Sequence, residues 1–148
     1  MSGNQQIPGS VTEGLGMPWW EGGKKFVNLR VPSACTANTP YAWYTVDTSQ
    51  RPIQSAMGAS GTICRVAVAT KTVTAATASV KFQIAGKFDG LITPSITGVT
   101  SQTLKIASAL VAAGGAATIT ADDFAIVETG ATDTEFDVYL LDREITPS

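Results

Sequence analysis

Short runs of alternating apolar and polar residues recur along this chain, punctuated by glycine, proline, asparagine and aspartate. After Lys25, residues Val27, Leu29 and Val31 fall on one side and Asn28 and Arg30 on the other. A period of two belongs to a half-buried strand, whose successive side chains point to opposite faces. Pro32 ends the run, because it has no N–H to give to a ladder. An aromatic strand is predicted over 41–46 (YAWYTV), after the turn-prone Asn38-Thr39-Pro40. A longer strand is predicted over 62–70, with Ile63 and Arg65 on one face and Cys64, Val66 and Val68 on the other. Residues 79–85 alternate with Val80, Phe82 and Ile84 inward and Lys81 and Gln83 outward. Further strands are predicted over 116–120, 124–128 and 135–142, the last with Phe136, Val138 and Leu140 on its core face.

Three stretches carry less pattern. Residues 47–61 read as a loop, and 91–99 as a loop or short strand pair broken by Pro94 and Gly98. Gly86 to Gly90, with glycine at both ends, reads as a turn. Residues 102–113 fit a strand through Leu104, Ile106, Ser108 and Leu110, or a helical face through Leu104, Ala107, Leu110 and Val111. The TLKI start and the following Gly114-Gly115 favour the strand. Roughly eight short strands about ten residues apart point to an all-β fold, an antiparallel β-sandwich or barrel-like domain.

Composition supports this. Thr, Val and Ile number 20, 12 and 10 of 148 residues, while Leu, Glu and Lys number only 7, 5 and 6. Branching at Cβ suits a pleated strand better than a helix. Residues 1–24 are different: glycine- and proline-rich with little periodicity, they read as an extended N-terminal arm before a β domain over 25–148. Inside the arm lie Pro18, Trp19 and Trp20, followed by Lys24 and Lys25. These five are the candidate partner-binding residues, since tryptophan is enriched where interfaces carry their binding energy. The alternative is that the arm folds back and the rings cap an open end of the core.

Chemistry is sparse. The chain has no histidine, so no Ser-His or Cys-His nucleophile, histidine metal ligand or neutral-pH proton shuttle can be assembled. No catalytic, cofactor-binding or metal-binding residue is assigned, and the expectation is a protein that is not an enzyme. Gly58-Ala-Ser-Gly61 is not a nucleophile elbow, and no GK[ST] follows Gly114-Gly115. Asp133, Glu135 and Asp137 would share one strand face, which reads as a solvated surface, and Asp122-Asp123 reads as turn chemistry. Cys35 and Cys64, with no CxxC spacing, are expected as two buried free thiols. Tyr41, Trp43 and Tyr44 could stack on a sugar, or could be core and cross-strand pairs.

Charge adds one asymmetry. The net charge of −2 offers no field for nucleic acid, but residues 1–121 sum to +5 and residues 122–148 to −7. That polarity could steer head-to-tail contacts, or simply mark a solvated acidic end. Charged residues are only 15%, which eases burial against a partner because fewer ions must be desolvated. The polar start lacks the apolar centre of a signal peptide, and no run approaches the ~18 apolar residues of a transmembrane helix. A soluble protein made in the cytoplasm, with no membrane partner, is expected.

Ser60 to Thr70 (SGTICRVAVAT), Val80 to Gly90 (VKFQIAGKFDG) and Thr118 to Val127 (TITADDFAIV) together resemble the small head-decoration, or cement, proteins of tailed bacteriophages. The resemblance spans residues 55–148 in style and carries no motif that matches position by position, so no residue role transfers from it. It implies a homotrimer on the capsid exterior of a virion, bound to the major capsid protein where several subunits meet, stabilising the shell and doing no chemistry. The arm, from Gln5 to Lys25, would reach along the shell or a neighbouring subunit. A different expectation is a carbohydrate- or receptor-binding module of a phage tail or fibre, using Tyr41, Trp43 and Tyr44.

Overall fold

A computed structural model describes residues 14–43, 53–54, 63–92, 103–107, 110–113, 119–130 and 135–146. Among them there are ten strands and no helix. They are β1 (Trp19–Glu21), β2 (Lys24–Val31), β3 (Pro40–Trp43), β4 (Ile53–Gln54), β5 (Arg65–Ala69), β6 (Thr77–Ile92), β7 (Thr103–Ala107), β8 (Leu110–Ala113), β9 (Asp123–Gly130) and β10 (Glu135–Leu141). All their pairings are antiparallel and form one open sheet in the order β4-β3-β5-β6-β10-β9-β7-β8, with β2 on the other edge of β6 and β1 outside β2. The all-β, antiparallel expectation holds; within 102–113, where the pattern favours one strand, Thr103–Ala107 and Leu110–Ala113 are two strands paired with each other.

One strand organises the rest. β6 runs for 16 residues, pairing with β2 through Thr77 to Ala85 and with β10 through Ala85 to Ile92. The turn expected at Gly86–Gly90 is therefore absent: both glycines bend the strand without reversing it. Gly86 has φ +91, and a Cβ there would stand 2.7 Å from the Gly23 carbonyl oxygen. Gly90 has φ +78 and lies in a bulge, where Asp89 and Gly90 together oppose Asp137 of β10. Its N–H donates to Asp137 Oδ1 at 3.0 Å. Gln83, expected to face solvent, is buried at the bend; its Nε2 donates to the carbonyls of Ala85 and Lys87 at 3.1 and 2.9 Å.

The bend lets one sheet enclose two cores. The first gathers Val66 and Val68 with Phe88, Leu91, Leu104, Ile106, Phe124, Phe136, Val138 and Leu140. The second gathers Val27, Leu29, Val31, Trp43, Ala67, Ala69, Val80, Phe82 and Ile84. β5 lies between them, buried on both faces from Val66 to Ala69. Its small Ala67 and Ala69 leave room for Phe82 and Trp43 on that side. The clean alternation read in Val27–Val31, Val80–Ile84 and Phe136–Leu140 marks the faces turned toward these cores.

The cysteines follow this division. Cys64 belongs to the first core and Cys35 to the second, and both are free and buried. Burial raises both thiol pKa values, that of Cys64 from 9.0 to about 11. Asp122 and Asp123 form the turn into β9, where Asp123 Oδ2 accepts from the Thr120 N–H at 2.7 Å. That turn replaces the strand expected over 116–120 at Ile119 and Thr120, which are not in a strand; residues 116–118 lie outside the described residues.

Candidate partner-binding site

Residues Trp19 to Phe26 form a hairpin. Glu21 pairs with Lys24, leaving Gly22 and Gly23 as a two-residue loop with φ +60 and +79. Two successive positive φ values define the tight turn that matches strand twist, and Gly-Gly accepts it without a Cβ penalty. The second half of the proposed arm is thus the outermost strand of the sheet. Leu15 extends the attachment through a bridge to Asn28, with the Gly16 N–H donating to the Asn28 carbonyl at 2.9 Å. Residues 1–13 lie outside the described residues.

Strand alternation sends the adjacent tryptophans to opposite faces. Trp19 lies across from Phe26, with ring centroids 5.9 Å apart. Lys81 Nζ sits 4.0 Å from the Phe26 centroid and 5.9 Å from that of Trp19, and pairs with Glu21 Oε1 at 3.1 Å. The Lys81 hydrogen bond, then that of the Trp19 indole, hold the Glu21 carboxyl below its ordinary pKa. Trp19 is therefore spent on seating the hairpin.

Trp20 turns the other way and is 64% exposed. Met17 is 66% exposed, and Pro18 between them in sequence is exposed too. Lys24 is exposed at the turn. Lys25, across from Trp20, holds its Nζ 5.7 Å from the Trp20 ring centroid and 2.6 Å from Asp142 Oδ2. Asp142 has φ +44, and its second oxygen accepts from Arg65 at 2.9 Å. Lys25 also lines a cleft of about 250 Å³, together with Pro18, Trp43, Arg65, Ile84 and Asp142. Trp43 and Arg65 are directly opposed on β3 and β5, and Ile84 and Trp43 belong to the second core. The cleft is the open end of that core.

Four of the five expected partner-binding residues thus sit on one hairpin and Pro18 directly precedes it, but only Pro18, Trp20 and Lys24 are exposed. Met17, Arg65 and Asp142 were not among the expected site residues. Two signals would have helped: adjacent residues of a strand must face opposite ways, and Glu-Gly-Gly-Lys is a hairpin loop.

Of the remaining candidates, Trp43 lies at the cleft. Trp43 is buried, and Tyr41 packs edge-on to Phe82 with its hydroxyl accepting from the Thr36 N–H. Tyr41 is half-buried, and Tyr44 lies outside the described residues. Glu135 is exposed, Asp137 supports the bulge at Gly90, and Asp133 lies outside the described residues. The charge asymmetry of the sequence folds onto itself: Lys25 and Arg65 pair with Asp142, Lys87 with Glu128, and Lys105 with Asp122.

No protein-family model, curated protein or solved structure matches this chain.

Proposed function

We propose that this protein is a structural subunit of a phage virion that decorates the capsid exterior and stabilises the shell by binding the major capsid protein. One observation carries the reading: Trp20 is held exposed on a hairpin whose other face is anchored by Trp19, Phe26 and Lys81. A large apolar ring fixed in position before contact loses little conformational freedom on binding. The absence of histidine and the low charge of the chain fit a protein selected to be built in rather than to turn over substrate.

Assembly as a homotrimer belongs to the same proposal. A sheet that remains open leaves edge strands for neighbours to cover. The experiment is co-sedimentation of the full chain with shells assembled from the major capsid protein of the same genome, alongside its native mass by light scattering. Saturable binding, and a mass near three times 15.4 kDa in solution or on the shell, support the reading. Shells that sediment without the protein at saturating concentration refute it.

A further inference from the structure

We infer that the outer face of β6, β10 and β9 around Tyr139 is a docking surface for a second copy of this chain, which brings its Arg30 to the carboxylates there. The inference deepens the homotrimer part of the proposed function by naming a surface through which copies meet, and it rests on that part alone. Tyr139 of β10 stands between Lys87 of β6 and Ile126 of β9, and Tyr139 and Ile126 are 47% and 37% exposed. Farther along the same face of β10, Glu135 lies across from Ile92, and both are exposed. Carboxylates surround these apolar side chains. Lys87 is shared between Asp89 and Glu128, at 3.8 and 3.5 Å, and Asp89 first, then Glu128, hold its ammonium above the ordinary pKa. Glu135 enters no ion pair among the described residues. One lysine against three carboxylates leaves a surplus of two negative charges, before Asp137, which the Gly90 N–H engages, is counted.

The complementary charge is Arg30. It lies on the face of β2 turned away from the core, half-buried, with its Nε buried and without a hydrogen-bond partner. No ion pair among the described residues takes its charge. A guanidinium already partly removed from water has less hydration to lose when a carboxylate meets it, and its fork of donors matches the two oxygens. The register of β2 on β6 sets Arg30 beside Ala78 and Ser79, whose short, exposed side chains allow a neighbour to approach. Ser79 to the bend at Gly86 alone spans roughly 23 Å of strand, so Arg30 does not reach the acidic face of its own chain. A second copy brings the two patches together. Trp20 points to the side of the hairpin opposite Arg30 and stays free for the shell. A contact joining two different patches is heterologous, and it closes into a ring where the rotation between copies allows, three copies completing the proposed trimer.

The test is the mass of the full-length protein across concentration at low ionic strength, by sedimentation equilibrium without shells. The samples are the wild type, R30E, E135R and an equimolar mixture of the two variants, with each fold verified by its urea midpoint. The expected result is reversible self-association of the wild type above 15.4 kDa, weakened at least about tenfold in each variant alone and recovered in the mixture, where each reversed charge meets its opposite. E135R, at an exposed position, carries the test if R30E fails to fold. A wild type that stays at 15.4 kDa, E135R associating as the wild type does, or weakened variants that do not recover on mixing would each overturn the inference. A trimer untouched by E135R would leave the homotrimer standing on another surface. Shell binding is not used here, so failure of this contact is distinct from failure of the capsid reading.

Discussion

Gly86 and Gly23 meet where the bend of the longest strand touches the turn of the hairpin. A Cβ on Gly86 would stand 2.7 Å from the Gly23 carbonyl oxygen and 3.2 Å from the Lys24 Cα. Both obstacles are backbone, so nothing flexible can give way. Gly86→Ala should therefore cost about 2–4 kcal/mol, combining the left-handed φ with overpacking. Gly22, at φ +60 with nothing within 4 Å, separates the two effects. Gly22→Ala should lose only about 1–2 kcal/mol. Urea denaturation of both variants checks this, and equal losses would show that the close approach does not matter.

Ala67 tests the placement of β5 between two cores. Its alternation with Val66 and Val68 would allow an exposed face, yet it is fully buried against the second core. Ala67→Leu should destabilise the fold by about 1–3 kcal/mol. On a solvent-facing strand the same change would stay within about 0.5 kcal/mol, so a neutral result in denaturant titration would place the second core elsewhere.

Much of this fold is legible in the order of residues, and the failures have physical causes. Val27, Leu29 and Val31 announce their strand because one face packs and the other does not. β5 hides its second face because both sides are buried, and a doubly buried strand shows a near-continuous apolar run in place of alternation. The pair Gly86 and Gly90 misleads because glycine permits positive φ without specifying its use. Here one accommodates a neighbouring backbone and the other a bulge closed by Asp137, a partner 47 residues away. The five expected site residues do come together, but which tryptophan is free depends on strand parity, and Arg65 and Asp142 join them only through tertiary pairing.

The thiols give a pH prediction. Burial raises the Cys64 pKa from 9.0 to about 11 and raises that of Cys35. A raised folded-state pKa means that the unfolded chain releases its proton first. The contribution is complete below pH 9.0 and is lost as pH climbs toward about 11. Stability measured by urea titration should fall across that window, and less so in Cys64→Ala relative to its own value at neutral pH. At pH 8 neither thiol should react with iodoacetamide in the native protein, whereas both should react in denaturant. Rapid native labelling would contradict the burial of both.

Asp142 binds two cations in a partly buried setting, with side-chain exposures of 17% for itself, 24% for Lys25 and 29% for Arg65. Asp142→Asn keeps a residue that tolerates the left-handed φ of 44° but removes the charge. A loss of about 1–2 kcal/mol is expected, between the values for surface and fully buried pairs, and the difference from wild type should shrink in high salt. A salt-independent loss would assign the effect to packing.

The central claim is that one face of the hairpin holds it in place and the other meets the partner. Trp19→Ala should cost about 1–2 kcal/mol of stability through lost stacking and cation–π contact, whereas Trp20→Ala should stay within about 0.5 kcal/mol. The most direct measurement is therefore co-sedimentation of Trp20→Ala with capsid shells, beside the wild-type chain and with the fold verified by its unchanged unfolding midpoint. A loss of shell affinity of at least about 30-fold, the ~2 kcal/mol expected of an interface anchor, is the predicted result. Wild-type affinity in a folded Trp20→Ala protein would contradict the account.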